Sequence, residues 1–81
     1  MVTLRLFASI REIAGINQID FEANTVGQII ELAVERFGPE FAATLPACRI
    51  WVNGNPAQEA DEVSDGDEVA ILPPVSGGAY E

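Results

Sequence analysis

One strongly amphipathic helical segment limits, more than any other feature, what this 81-residue chain can fold into. Thr25 and Gln28 have the spacing of a capping box, in which each side chain satisfies an exposed amide, so the helix is predicted to begin there. Gly38-Pro39 is predicted to end it, with the glycine as a left-handed cap. Between these limits the apolar residues recur at three- and four-residue spacing: Val26, Ile29, Ile30, Ala33, Val34 and Phe37.

Strand patterns flank this helix on both sides. Residues 2–9 alternate with period two except at Phe7, an aromatic on the nominally polar side. A helical turn is predicted over 10–14 and a turn or helical connection over 40–48. Three further strands are predicted at 16–22, 49–52 and 68–72, with tight turns at Asn53-Gly54 and Asp65-Gly66-Asp67.

This order of elements predicts the fold class. Two strands, one main helix and two more strands favour an α+β roll, with the helix packed across one face of a small mixed sheet. The first and last strands could lie side by side and parallel, although order alone does not decide it. Residues 1–74 are predicted to form the domain and residues 75–81 a flexible C-terminal tail.

The charge balance excludes several classes of function. The chain has 13 acidic residues against four arginines, no lysine and no histidine, for a formal charge of −9. This argues against nucleic acid and anionic membranes as partners and favours a basic partner or cleft. No segment approaches the length of a membrane span, the start does not resemble a signal peptide, and the single cysteine forms no intramolecular disulfide. A cytoplasmic location is therefore expected.

Catalytic groups are scarce. Without histidine or lysine, the usual general bases and Schiff-base nucleophiles are missing. Cys48 lies beside an apolar run and is predicted to be structural, with a persulfide-carrying thiol as the weaker alternative. The acids between Glu59 and Glu68 do not have the spacing of a calcium loop. We expect no metal, no bound cofactor and no catalysis by this chain alone.

The C-terminal residues carry the strongest functional signal. Pro73-Pro74 favours extended geometry, so the tail should project from the domain and reach about 20 Å by Gly78. Gly77 and Gly78 have no side chains, which lets the backbone enter a narrow channel. A Gly-Gly pair alone is a weak signal, but after a proline pair, on an acidic domain without catalytic groups, it becomes a strong one.

The run from Asp65 to Gly78 resembles the C-terminal signature of the MoaD/ThiS sulfur-carrier family, in the form of the small subunit of molybdopterin synthase. Phe7 to Gly15 is similar to that family's opening strand and turn, and Val52-Asn53-Gly54 to a strand end. The resemblance implies a ubiquitin-like β-grasp fold. It also implies that an adenylating enzyme of the ubiquitin-activating type uses ATP on the carboxylate of Gly78, and that a sulfur donor converts it to a thiocarboxylate. The tail would then enter the large subunit of molybdopterin synthase.

The same resemblance suggests a partner-docking surface. Phe7 and Leu72 are predicted to share a sheet face, joined by Trp51, and the tail residues Pro73, Pro74, Val75 and Ser76 would follow them into the partner. The competing interpretation is that Trp51, and less so Phe7, belongs to the core.

One departure from the family pattern matters. Carriers of this kind end at the second glycine, whereas here Ala79-Tyr80-Glu81 follows Gly78. A precursor trimmed by a peptidase is the preferred explanation, against an artificial addition or a protein that has become a binding module. Sulfur delivery to thiamine, cysteine, thiolated tRNA or a secondary metabolite, and a ubiquitin-like modifier, also stay open.

Overall fold

Five strands form one mixed sheet in the order β2-β1-β5-β3-β4, and one long helix crosses it. The computed structural model describes residues 1–74. The elements in chain order are β1 (Val2–Leu6), α1 (Ala8–Ala14), β2 (Gln18–Phe21), α2 (Val26–Phe37), α3 (Pro39–Thr44), a 3-10 turn (Leu45–Ala47), β3 (Arg49–Val52), β4 (Asn55–Pro56) and β5 (Glu68–Leu72). The predicted α+β roll is confirmed.

The first and last strands occupy the middle of the sheet and run parallel. Leu4 pairs with Val69 and Leu6 with Ile71, while β2 and β3 lie antiparallel on the outer sides of this central pair. This parallel arrangement, which element order left open, puts at the centre of the sheet the two strands whose inward residues are fully buried. α2 can cover both only by crossing the sheet at its centre.

The two ends of α2 follow from local chemistry. Thr25 caps the helix and accepts a hydrogen bond from the Gln28 amide at 3.1 Å, as the capping box predicts. The Gln28 side chain accepts from Asn24 N at 2.7 Å, so the reciprocal bond lies one residue before the cap. Gly38 has φ 97° and ψ −173° and its amide donates to Val34 O. The φ angle is positive, as in the predicted left-handed cap, but the ψ angle lies outside the left-handed region, so that prediction is wrong. The backbone takes this conformation because α3 begins directly at Pro39.

The chain leaves β1 earlier than its alternation predicts. The predicted strand over 2–9 ends at Leu6, and α1 begins at Ala8 rather than at residue 10. Ile10 is fully buried, so the chain must bend after Phe7 to bring that side chain back onto the core. β2 is likewise shorter than 16–22, whereas β3 and β5 have the predicted bounds.

The core lies between the inner sheet face and the helices. Its buried side chains are Val2, Leu4, Leu6, Ile10, Val26, Ile29, Ala33, Phe41, Val63, Val69 and Ile71. None of the residues from 1 to 74 buries a charged or polar side chain. Within the same range no helix is long and apolar enough to cross a membrane.

Candidate functional site

The side of the sheet turned away from α2, called here the outer sheet face, holds two of the predicted docking residues, Trp51 and Leu72. Because partners across a ladder point to the same side, Arg5, Ala70 and Trp51 form one row across β1, β5 and β3. Leu72 and Arg49 form the next row toward the end of β5. The apolar side chains of this face therefore come together from strands that are far apart in sequence.

Trp51 belongs to this outer face and not to the core. Its neighbours along β3, Ile50 and Val52, pack against the core cluster, and strand alternation points Trp51 the other way. The side chain is half-buried. The interpretation of Trp51 as a core residue is thus wrong, and the prediction that it shares a face with Leu72 is confirmed.

Phe7 lies just beyond the end of β1 and is 39% exposed. Its backbone is extended (φ −127°, ψ 154°), and it occupies the N-cap position of α1 without a capping hydrogen bond. Since β1 and β5 are parallel, their last residues, Leu6 and Leu72, reach the same end of the sheet. Phe7 is therefore at the end of the domain where β5 leads into Pro73, which places it with the predicted docking residues rather than in the core.

The path toward the C-terminus begins at this end of the sheet. Pro73 is half-buried and Pro74 is exposed. The remaining predicted tail residues lie outside the described residues: Val75, Ser76, Gly77 and Gly78. Their roles in docking, threading and sulfur transfer stay predictions.

The outer sheet face is electrically polarised. At the end near Leu72 it carries Arg5 and Arg49; Arg5 pairs with Glu68 at 2.8 Å, and Arg49 is exposed with no ion-pair partner among residues 1–74. At the opposite end Asp20 accepts a hydrogen bond from Thr3, and Asp65 pairs with the N-terminal amine. A chain with a net charge of −9 thus presents an apolar and basic region where β5 ends.

Sequence reasoning did not single out this pair of arginines. The signal that would have found it is the alternation Arg49-Ile50-Trp51 on β3, which places arginine and tryptophan on one side. Arg5 joins them because β1 and β3 both pair with β5, with Arg5 and Trp51 on either side of Ala70, and no local sequence pattern predicts that register.

Cys48 lies next to this region but is poorly suited to nucleophilic chemistry. Burial raises the pKa of its thiol, and Sγ donates to Thr44 O at 3.4 Å. The side chain packs against the core cluster. A protonated, half-buried thiol is a weak nucleophile, which agrees with a structural cysteine.

No group of three or more histidine, cysteine, aspartate or glutamate residues within 1–74 has the geometry to hold a metal ion. The features that the described residues bring together are a sheet face with apolar and basic groups and a strand that leads from it into the proline pair. Together they form a candidate docking surface at the end of the sheet where β5 leads into Pro73. The fold defines the class: a ubiquitin-like β-grasp domain.

The family assignment is specific. The model of the ThiS family matches residues 4–78, and the chain belongs to this family of sulfur carriers. The molybdopterin synthase sulfur carrier subunit of Chlamydomonas reinhardtii is 34% identical over 76 residues, which cover 89% of this chain and 92% of that protein. A candidate sulfur carrier protein of Archaeoglobus fulgidus is 38% identical over 88 residues, covering 95% of this chain and 98% of that one.

Solved structures share the fold over nearly the whole chain. The small archaeal modifier protein SAMP1 of Methanosarcina acetivorans superimposes with a TM-score of 0.86 at 26% identity, covering 95% of each chain. A chain of the BexX/CysO complex of Amycolatopsis orientalis gives 0.81 at 26%, covering 96% of this chain and 100% of that one. A chain of the complex of molybdopterin-converting factor subunits 1 and 2 of Helicobacter pylori gives 0.71 at 28%, covering 95% and 97%.

Proposed function

We propose that this protein is the sulfur-donating small subunit of a molybdopterin synthase and carries sulfur as a thiocarboxylate on Gly78. The observation that carries the proposal is the family match over residues 4–78, which ends at the second glycine of the Gly77-Gly78 pair. The Chlamydomonas relative, named as a molybdopterin synthase sulfur carrier subunit, supports this pathway.

The chemistry requires a free carboxylate, and here Gly78 is in peptide linkage to Ala79. We propose that a peptidase hydrolyses this bond, using one water, and releases residues 79–81. The stretch that the family model leaves unmatched after Gly78 is this same tripeptide. The uncut protein would then be a latent form of the carrier.

Activation follows from the low reactivity of a carboxylate. An oxygen of the Gly78 carboxylate attacks the α-phosphorus of ATP on an adenylating partner, pyrophosphate leaves, and an acyl-adenylate forms. Sulfur at the oxidation level of hydrosulfide, supplied by a donor, then attacks the carbonyl carbon. AMP leaves with the electron pair of the C–O bond, and the thiocarboxylate remains. The partner supplies the catalytic groups in both steps.

Docking is proposed to use the outer sheet face. Phe7, Trp51 and Leu72 would supply apolar contact, and Arg49 would pair with a carboxylate of the partner. Because β5 ends at this surface, a partner that covers it also receives the tail from Pro73 onward. The Helicobacter pylori structure, a complex of subunits 1 and 2, supports a large-subunit partner of this kind for the present chain.

A second candidate function is sulfur delivery to a different acceptor. The chain from the BexX/CysO complex has a TM-score of 0.81, against 0.71 for the chain from the molybdopterin-converting factor complex. A domain with this fold therefore also occurs in a complex other than that of the molybdopterin-converting factor subunits. A modifier role, in which Gly78 is attached to lysines of target proteins, is a third arrangement, and an isopeptide-linked ladder on blots would support it.

The test compares protein that ends at Gly78 with the full chain. Each is incubated with an adenylating enzyme, ATP and sulfide, and intact mass spectrometry follows replacement of one oxygen by sulfur. We expect conversion of the shortened protein only, and formation of molybdopterin when the large subunit and its pterin precursor are added. Conversion of the uncut chain would refute the need for trimming. A thiocarboxylate that the large subunit cannot use would refute the molybdopterin pathway and favour the second function.

A further inference from the structure

A groove between the outer flank of α2 and the end of β2 lies apart from the outer sheet face. It has a volume of about 630 Å³ and is lined by Glu22, Gln28, Ile30, Glu31, Leu32, Val34 and Glu35. Its apolar floor is formed by Ile30 and Val34, which are half-buried and lie one helical turn apart, whereas Leu32, also half-buried, lies about half a helical turn away from both. Leu32 is absent from the core packing to which Ile30 and Val34 contribute. The groove is therefore an apolar surface that the domain does not cover with its own residues from 1 to 74.

The rim of this groove is acidic. Glu22, Glu31 and Glu35 are all exposed, and none of them forms an ion pair with a residue in the described part of the chain. Arg36 is the basic residue of α2 and does not line the groove. Apolar floor and carboxylate rim together suit a ligand with apolar side chains and positive charges around them.

The strand beside the groove has an open edge. β2 is the terminal strand of the sheet, and its pairing with β1 includes the bond from Leu6 N to Asn17 O. In an antiparallel ladder, bonded and non-bonded positions alternate, so residues 19 and 21 face β1. The amides and carbonyls of Gln18 and Asp20 therefore point away from the sheet. The other terminal strand, β4, is two residues long and contains Pro56, which cannot donate.

We propose that this groove and the open edge of β2 bind an extended peptide segment of a partner protein, with apolar residues at its centre and lysine or arginine at its ends. The segment adds a strand to β2 through the backbone groups of Gln18 and Asp20. Every second side chain then faces the helix side of the sheet, where Ile30 and Val34 lie. Its basic ends meet the carboxylates of Glu22, Glu31 and Glu35.

A second copy of this chain does not fit the same place. The edge carries Asp20 and Glu22, and acidic side chains along an edge strand oppose pairing with another strand of the same charge. The net charge of −9 adds repulsion between copies. The groove also lies apart from Trp51 and Leu72 on the outer sheet face, so a partner bound there leaves that face open.

The experiment uses isotope-labelled full chain and a capped synthetic peptide with a central Val-Ile-Val-Ile and two lysines at each end. We expect shifts of backbone NMR signals confined to residues 18–22 and 28–35. The amides of Gln18 and Asp20 should exchange with solvent at least about tenfold more slowly at saturation, whereas that of Ile19, already bonded to β1, should not change. Shifts centred on Trp51 and Leu72 would overturn the proposal, and shifts at the groove without protection of Gln18 and Asp20 would overturn strand addition.

Charge variants provide the matched control. Exchanging two of the three rim carboxylates for lysine in the double variant E31K/E35K should weaken binding of this peptide at least about tenfold. The double variant E12K/E40K changes the net charge by the same amount on exposed positions outside the groove and should leave the affinity within about twofold. Equal weakening by both would show that only the overall charge acts and would overturn the proposed site. Thermal unfolding of each variant verifies that both are folded.

Discussion

Asn53 connects two parts of the second half of the sheet. It stands in the two-residue turn between β3 and β4 with φ 51°, followed by Gly54 with φ 85°, the combination required by the tight turn of a hairpin. Its side chain donates to Asp67 Oδ1 at 3.0 Å and accepts from the Glu68 amide at 2.9 Å. Asn53 therefore shapes one turn and also fastens it to the first residue of β5.

Replacement of Asn53 separates these two contributions. Asn53→Ala loses both hydrogen bonds. It also puts at positive φ a residue that has a Cβ but no polar side chain to offset the backbone strain, so we expect the free energy of unfolding to fall by about 2 kcal/mol. Asn53→Gly tolerates the backbone and loses only the hydrogen bonds, so its loss should be about 1 kcal/mol. Urea denaturation measures both. Equal losses for alanine and glycine would contradict a backbone contribution.

Asp67 makes stability depend on pH. The side-chain hydrogen bond from Asn53, followed by the backbone bond from Ser64 N at 2.9 Å, lowers the pKa of this carboxyl below its ordinary value. A lowered pKa means that the folded state holds the proton less tightly than the unfolded state. The stabilisation is thus complete above the unfolded pKa, near 4, and is lost as pH falls through the folded value.

We therefore expect the advantage of the wild-type protein over Asp67→Asn to decrease as pH falls below about 4. The asparagine keeps the size of the side chain but has no titrating proton, which makes it the matched control. Urea midpoints at several pH values give the difference. Curves that stay parallel over this range would show that Asp67 does not contribute to the pH dependence.

At the scale of elements, α2 is held by its own cap and by a distant loop. Thr25 accepts from the Gln28 amide within the helix. The next free amides, those of Val26 and Gly27, donate to Asp61 O and Glu59 O at 2.9 Å, and Val63 N donates to Asn24 O. A Cβ on Gly27 would lie 3.3 Å from Glu59 O, so glycine permits the close approach of the loop. The irregular segment before β5 is thus fastened to the start of the helix.

The cap itself is open to a simple test. Thr25→Ala removes the oxygen that accepts from Gln28 N and should lower the free energy of unfolding by about 1 kcal/mol. Thr25→Ser keeps that oxygen and should remain within about 0.5 kcal/mol of the wild-type protein. Thermal or urea unfolding measures both variants. A serine variant as unstable as the alanine variant would show that the methyl group, and not the cap, is responsible.

The molecule as a whole presents two surfaces with different chemistry. One is the outer sheet face, where Trp51 and Leu72 lie with Arg49 at the end from which the tail departs. The other is the groove beside α2, with its acidic rim. The core between them separates these surfaces, so substitutions on one should leave binding at the other intact.

For the outer face, Trp51→Ala should weaken binding to the large subunit of molybdopterin synthase at least about tenfold, because a large aromatic contact is lost. Leu32→Ala, which removes an apolar side chain from the α2 side, is the matched control and should bind with unchanged affinity. Isothermal titration calorimetry measures both. Unchanged binding of the Trp51 variant would place the interface elsewhere. Weaker binding of the Leu32 variant would point to a contact through the groove.

Features with local causes could be predicted from the amino-acid sequence. The helix from Thr25 to Gly38, strands β3 and β5, and the Asn53-Gly54 turn all follow from side-chain period, capping and backbone preference within a few residues. The family resemblance, carried by the run from Asp65 to Gly78, was readable in the same way and is confirmed by the match over residues 4–78.

Tertiary structure alone decided the features that depend on distant partners. β1 ends at Leu6, not at residue 9, because Ile10 must return to a core built from other segments. The parallel pairing of β1 with β5 brings Phe7 to the end of the sheet where the tail begins, and the β3 register moves Trp51 out of the core and into a row with Arg5. The groove beside α2 likewise depends on Glu22, just after β2, lying next to the helix. Such contacts join residues tens of positions apart, and no local pattern records them.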